Sequence, residues 1–265
     1  MTSYQMILNL ISPCGGSYDD ILLTFKSVFN VSSTLPNILF KHYLCYNNNL
    51  KPYGFQSYYQ VNYEVNELDI NPVKSRSSAR NECLAQLRES NNSFVMFLDA
   101  GDLLEMDALS EIVENTNSFV SSEILFACHA NIQGEKIVGI RKPKPKLKYF
   151  INPFYLGSVI LATKLAIKSS FQEGRKEDWK YWLDILEYQP DIFFVEKTNY
   201  TYIVKSKSDH FQRKSKLILD QYFFFKNYLN MSVTKSLFHC FLFYTLVSLF
   251  WLLAIRKDKS IQKND

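Results

Sequence analysis

FVMFLDAGDLL, residues 94–104, carries five apolar residues straight into two acids, Asp99 and Asp102, separated by Ala100 and Gly101. An apolar run this short, bounded by turn-forming residues, fits a buried strand. Carboxylates at the carboxyl end of such a strand have two readings. They are ligands for a cation or for sugar hydroxyls, or they are turn residues, since Asp and Gly both suit tight turns.

The flanking sequence supplies a sheet for that strand. Met6 to Ile11 reads as a first strand, and Ser17 with Asp20 fits a capping box ahead of the apolar stripe Ile21, Leu22, Phe25, Val28 and Phe29. A second strand lies within Ile38 to Tyr46, residues 47–60 read as loop, and a short strand covers Tyr63 to Val65. In SRSSARNECLAQLRES, residues 75–90, Ser77 or Ser78 caps a helix whose Ala79, Cys83, Leu84 and Leu87 face the core. A helix over 104–114 follows the opening strand, then strands near 124–128, 136–140, 157–162 and 192–195, with EDWKYWLDILE, residues 177–187, as a helix between the last two. Alternating strands and helices predict an α/β fold with a mostly parallel central sheet flanked by helices. Ligands of such sheets gather at the carboxyl ends of the strands, where Asp99 and Asp102 sit.

Composition narrows the class. The 265 residues are 47% hydrophobic and 21% charged with net charge +4, an ordered chain with no case for nucleic acid. Five cysteines without a CxxC pair predict reduced, buried thiols in a cytosolic setting. The first residues, MTSYQMILNLIS, lack the basic start and long apolar run of a signal peptide. From Leu237 to Ile255 there are 19 residues without Asp, Glu, Lys or Arg, near the ~20 needed to span a bilayer. That run predicts a C-terminal hydrophobic helix that anchors to a membrane, spanning it or lying in its interface; a buried terminal helix is the alternative. RKPKPKLK, residues 141–148, reads as a mobile basic loop in which the prolines rule out helix. His42 and His129 sit in apolar surroundings and read as core, and P-loop, GxGxxG, HExxH and GxSxG patterns are all missing.

SARN (78–81), FLDAGDLL (97–104) and FQEGRKEDWKYW (171–182), in that order, resemble the family 2 glycosyltransferases of the GT-A fold. The resemblance covers residues 4 to 210. It implies a glycosyltransferase domain over 1–210, with a nucleotide-sugar half (1–115) and an acceptor half (116–210), and leaves 211–265 as a helical extension. It further implies a nucleotide-sugar donor, a UDP-sugar, and transfer by inverting single displacement. Mg²⁺ or Mn²⁺ would offset the charge of the departing diphosphate. Asp99 would lie by the ribose and cation. Gly101 replaces the third position of the D-x-D pattern, so Asp102 would carry the metal, with His210 as a further ligand. Arg80, in the first turn of its helix, would meet the diphosphate or sugar, and Asn81 would brace the loop. Ser12 and Pro13 fall at the base-binding loop.

Asp178 would act as base towards the acceptor hydroxyl, with Glu177 orienting it. Trp179 and Trp182 would floor the acceptor sugar, or at helical spacing simply belong to the core. Lys205 stands where relatives carry a histidine and would hold phosphate as a point charge. LCYNNN, residues 44–49, has no acid to recognise the base, leaving Tyr46 or Asn47 to substitute. Arg76 and Arg88 read as surface arginines. The hydrophobic tail and the basic loop point to a saccharide or polyprenyl-linked acceptor at the cytoplasmic face of the cell membrane. The competing readings are a degenerate GT-A domain acting as a membrane-tethered binding or assembly partner and, less favoured, a nucleotidyltransferase.

Overall fold

A computed structural model describes residues 4–46, 54–55, 60–69, 75–88, 90, 92–115, 123–134, 137–149, 151–204 and 220–245. The chain divides into two compact units, Met1–Lys146 with Pro153–Ser206, and Leu147–Asn152 with Lys207–Asp265.

The first unit is built on the strands expected from the apolar runs. β1 (Met6–Cys14) and β4 (Ser93–Phe97) are buried almost end to end, as continuous apolar strands covered on both faces must be. β1 pairs in parallel with β2 (Ile38–Tyr46) on one side and with β4 on the other, and β2 carries β3 (Tyr63–Asp69) in parallel. Beyond β4 the sheet continues through β8 (Val159–Ala162), β6 (Ile124–Gly134) and β9 (Asp191–Val204) to β5 (Leu103–Leu104). β4–β8, β8–β6 and β9–β5 are antiparallel, β6–β9 is parallel, and β7 (Ile137–Arg141) pairs antiparallel with β6. Helices α1 (Tyr18–Thr34), α2 (Arg76–Gln86), α3 (Asp107–Asn115), α4 (Thr163–Ala166) and α5 (Glu177–Glu187) complete the unit. The order β3-β2-β1-β4 reverses direction between β1 and β4, and at such a switch point a crevice opens outside the strand ends.

Several elements depart from the sequence expectation for identifiable reasons. α1 begins at the expected capping box. α2 begins two to three residues early, because Ser75 rather than Ser77 or Ser78 accepts from the Ser78 N–H at 3.1 Å. α3 starts at Asp107, since Leu103 and Leu104 are drawn into pairing with Thr201 and Tyr200 of β9. β6 and β9 run to 11 and 14 residues because each extends the other, a long-range effect with no local signature. In the basic stretch, Pro145–Leu147 forms a single 3₁₀ turn, with proline tolerated at the first helical position. His129 is half-buried on β6 rather than core. The cysteine expectation is also corrected. Cys45 at the end of β2 and Cys83 on α2 form a disulfide, while Cys14, Cys128 and Cys240 are free. The bonded pair is 38 residues apart in sequence and meets only because α2 packs over the end of β2, so spacing could not reveal it.

One glycine is fixed by packing. A Cβ on Gly157 would lie 2.5 Å from the ring of Tyr200, itself buried. Gly157→Ala is expected to destabilise the chain by about 1–3 kcal/mol through overpacking, read as a lower urea midpoint at unchanged slope.

In the second unit, residues 220–228 are helical with a π-helical turn at Phe224–Tyr228, and a further helix runs from 233 through 245. Phe224 and Phe225 are buried, while Leu237, Phe238 and Phe241 are exposed. Among the described residues no helix is long and apolar enough to cross a membrane. Residues 246–255 of the apolar run lie outside the described residues.

Candidate active site

Of the two readings of DAGD, the turn is the one the structure shows. The segment is a true turn: the Asp102 N–H donates to the Asp99 carbonyl at 3.0 Å, and Gly101 has φ 101°. A positive φ at the third turn position is what a type II turn demands of glycine. Thr24 of α1 clamps it, its hydroxyl accepting from the Gly101 N–H and donating to the Asp102 carbonyl, each at 2.8 Å. At the sheet end, the Leu98 N–H donates to the Ile11 carbonyl at 3.0 Å, so Asp99 leaves level with the end of β1.

α2 brings cations to Asp99. Arg76 and Arg80 are four apart, hence on one helix face. Arg80 Nη2 donates to Asp99 Oδ1 at 2.6 Å, and Arg76 Nη1 to Oδ2 at 3.4 Å. Their environments differ sharply. The Arg80 side chain is 1% exposed, with its guanidinium carbon 5.0 Å above the Phe171 ring, whereas Arg76 is 60% exposed.

The same helix is stapled to the segment leading into α5. Asn81 bonds Phe171 twice, accepting from its N–H at 2.7 Å and donating to its carbonyl at 2.9 Å. Ser77 donates to the Gln172 carbonyl at 3.2 Å, and Ser75 to Glu173 at 2.5 Å. Gly174 (φ 106°) and Lys176 (φ 59°) then turn the chain through two left-handed residues, the second at a cost of about 1–2 kcal/mol for a residue with a Cβ. The turn delivers Glu177, 17% exposed, to 3.6 Å from Arg80 Nη1, and puts Asp178 next to it in the first turn of α5. Burial opposes the charge on Arg80, but Asp99 and then Glu177 and Asp178 outweigh it and hold the guanidinium more firmly protonated than usual. Arg80 therefore joins Asp99 and Glu177, which belong to two motifs far apart in sequence.

The remaining expected residues are placed less favourably. Ser12 is buried with its Oγ 2.9 Å from Nε2 of His42, and Pro13 is buried beside it. Trp179 is 3% exposed with the Lys176 ammonium 5.0 Å from its ring centroid, and Trp182 is buried against Phe97 and Phe154, so both belong to the core and neither offers a face to a sugar. Lys205, His210 and Asn47 lie outside the described residues. Tyr46 is buried and donates to Glu67 at 2.7 Å. Arg76, read as a surface arginine, stands on Asp99; its spacing of four from Arg80 was the available signal.

Chelation of Mg²⁺ or Mn²⁺ needs carboxylate oxygens free to converge on one point. Asp99 has an arginine on each oxygen. Asp102 is 6% exposed, and its Oδ1 accepts from the Ile203 N–H of β9 at 3.2 Å. Gly101 has no side chain to contribute, and among the described residues no three His, Cys, Asp or Glu gather as a metal-binding group. Among the described residues the side chains do not fit the expected divalent cation; His210, the further expected ligand, lies outside them.

His42 gives a separate prediction. It is wholly buried between Ser12 and the Tyr63 hydroxyl, 2.9 Å from its Nδ1, and burial pushes its pKa down from 6.5 to about 3. The unfolded chain therefore binds the proton that the folded chain refuses. Its contribution to stability is complete above pH 6.5 and is lost as pH falls towards 3. A His42→Gln variant is expected to flatten that part of the dependence of urea midpoint on pH.

No protein-family model and no curated protein sequence matches this chain. Solved structures do. Residues 1–349 of TarS from S. aureus in complex with UDP-GlcNAc superpose with TM-score 0.57 at 16% identity, over 90% of this chain and 72% of that one. The complex with UDP gives 0.56 at 15% identity, over 90% and 71%. The fold is that of the GT-A glycosyltransferases. In its longer structure TarS matches with TM-score 0.53, and this GT-A chain spans 41% of it.

Proposed function

We propose that this chain is a glycosyltransferase that moves a sugar from a UDP-sugar to a saccharide or lipid-linked saccharide in surface-polysaccharide assembly. The observation that carries the reading is the Arg80 bridge, which holds Asp99, just past the end of β4, and Glu177, at the start of α5, on one guanidinium beside the strand that borders the sheet's switch point. The UDP and UDP-GlcNAc complexes of TarS, which shares the fold, support the choice of donor.

In the proposed reaction the acceptor oxygen forms a bond to the anomeric carbon while the bond from that carbon to the diphosphate oxygen breaks, inverting the centre. Asp178 takes the hydroxyl proton as the bond forms, and Glu177, anchored on Arg80, orients it. An acceptor at the cytoplasmic face of a membrane is supported by the exposed Leu237, Phe238 and Phe241, which suit an interfacial seat, and separately by the basic stretch at 141–148. A membrane-tethered binding partner is the second reading, favoured by the engagement of both DAGD carboxylates within the protein.

Purified protein offered a panel of UDP-sugars, with UDP release followed over time, tests the proposal. One donor in the panel should be turned over, slowly with water and faster with acceptor. Donor binding without any turnover would favour the binding partner, and no binding to any donor would end both.

A further inference from the structure

We infer that the site takes its nucleotide diphosphate without a divalent cation, using the Arg76 guanidinium as the charge that meets the phosphates. This rests on the nucleotide-sugar reading above and goes beyond it.

The argument starts from where the carboxylate oxygens point. A divalent ion bound to Asp99 would have to enter between two guanidinium groups, at 2.6 and 3.4 Å from its oxygens, and be repelled by both. Asp102 is turned away to the backbone of β9. The place of a metal charge beside Asp99 is already filled by arginine.

The two arginines divide the work by burial. Arg80 is enclosed, close to Asp99 and fixed by Phe171 and Glu177, so it neutralises Asp99 permanently. Arg76 is open to water and makes a longer contact. An exposed ion pair of that kind contributes at most about 1 kcal/mol, so a diphosphate, with more charge and a geometry that matches the guanidinium fork, outcompetes Asp99 for it. When Arg76 moves to the phosphates, Asp99 keeps Arg80 and is not left an unpaired carboxylate. The departing nucleoside diphosphate would then leave from Arg76.

The full chain is titrated with UDP by calorimetry, once in EDTA and once in Mn²⁺. UDP should bind in EDTA, with an affinity that Mn²⁺ improves by less than about tenfold. Arg76→Ala should weaken binding in EDTA by about tenfold or more, with Arg76→Lys between the two, since a point charge replaces a fork. The ligand-free melting temperature of Arg76→Ala should fall by no more than about 4 °C, which separates loss of a contact from loss of fold. Binding that requires Mn²⁺, or that is indifferent to Arg76→Ala, overturns the inference and leaves the transferase reading standing. Absence of UDP binding in both buffers overturns both.

Discussion

Asp178→Asn is expected to lower sugar transfer by about 10²–10⁴-fold, the usual contribution of a positioned general base, while the affinity for UDP stays unchanged. The substitution keeps shape and removes only the ability to take a proton. Asp178 stands half-buried in the first turn of α5, and the helix is anchored through Trp182 and through Glu177 on Arg80, so its frame survives the change. Initial rates of UDP release with acceptor, set beside calorimetric binding of UDP, separate the two quantities. Transfer at the parental rate would remove Asp178 from the chemistry.

Arg80→Ala carries the largest expected effect on stability. Removing one partner from a buried charge cluster costs about 3–5 kcal/mol, and here it strips Asp99 and Glu177 together of their enclosed counter-charge. It also takes the packing away from the Phe171 ring. Arg80→Lys keeps a charge without the fork and should lie between alanine and the parent. Arg76→Ala, at the same spacing on the same helix but open to water, should cost no more than about 1 kcal/mol. Urea midpoints of the three variants test the contrast. Equal costs at both arginines would contradict the division between an enclosed brace and an open cation.

Much of this architecture was legible in the chain. Strands were legible at 6–11, within 38–46 and in the apolar run 94–98, Ser17 and Asp20 marked a helix start, and the 3.6-residue period of EDWKYWLDILE gave α5 to the residue. Asp99, Arg80 and Glu177 were each singled out, and the structure brings them together. What was hidden was depth and pairing. Arg80 and Arg76 are the same residue type, and only tertiary packing buries one and opens the other. Trp179 and Trp182 had two readings from spacing alone, and burial chose the core. The span of β9 and the Cys45–Cys83 bond depend on partners far along the chain, which a local window does not see.

The paired bonds from Asn81 to Phe171 make the amide of that side chain a substitute for a neighbouring strand. With Ser75 and Ser77 beside it, α2 and residues 171–177 are riveted along a common seam. Residues 171–173 therefore move with α2 as one piece, and neither side of the seam shifts without breaking several hydrogen bonds at once.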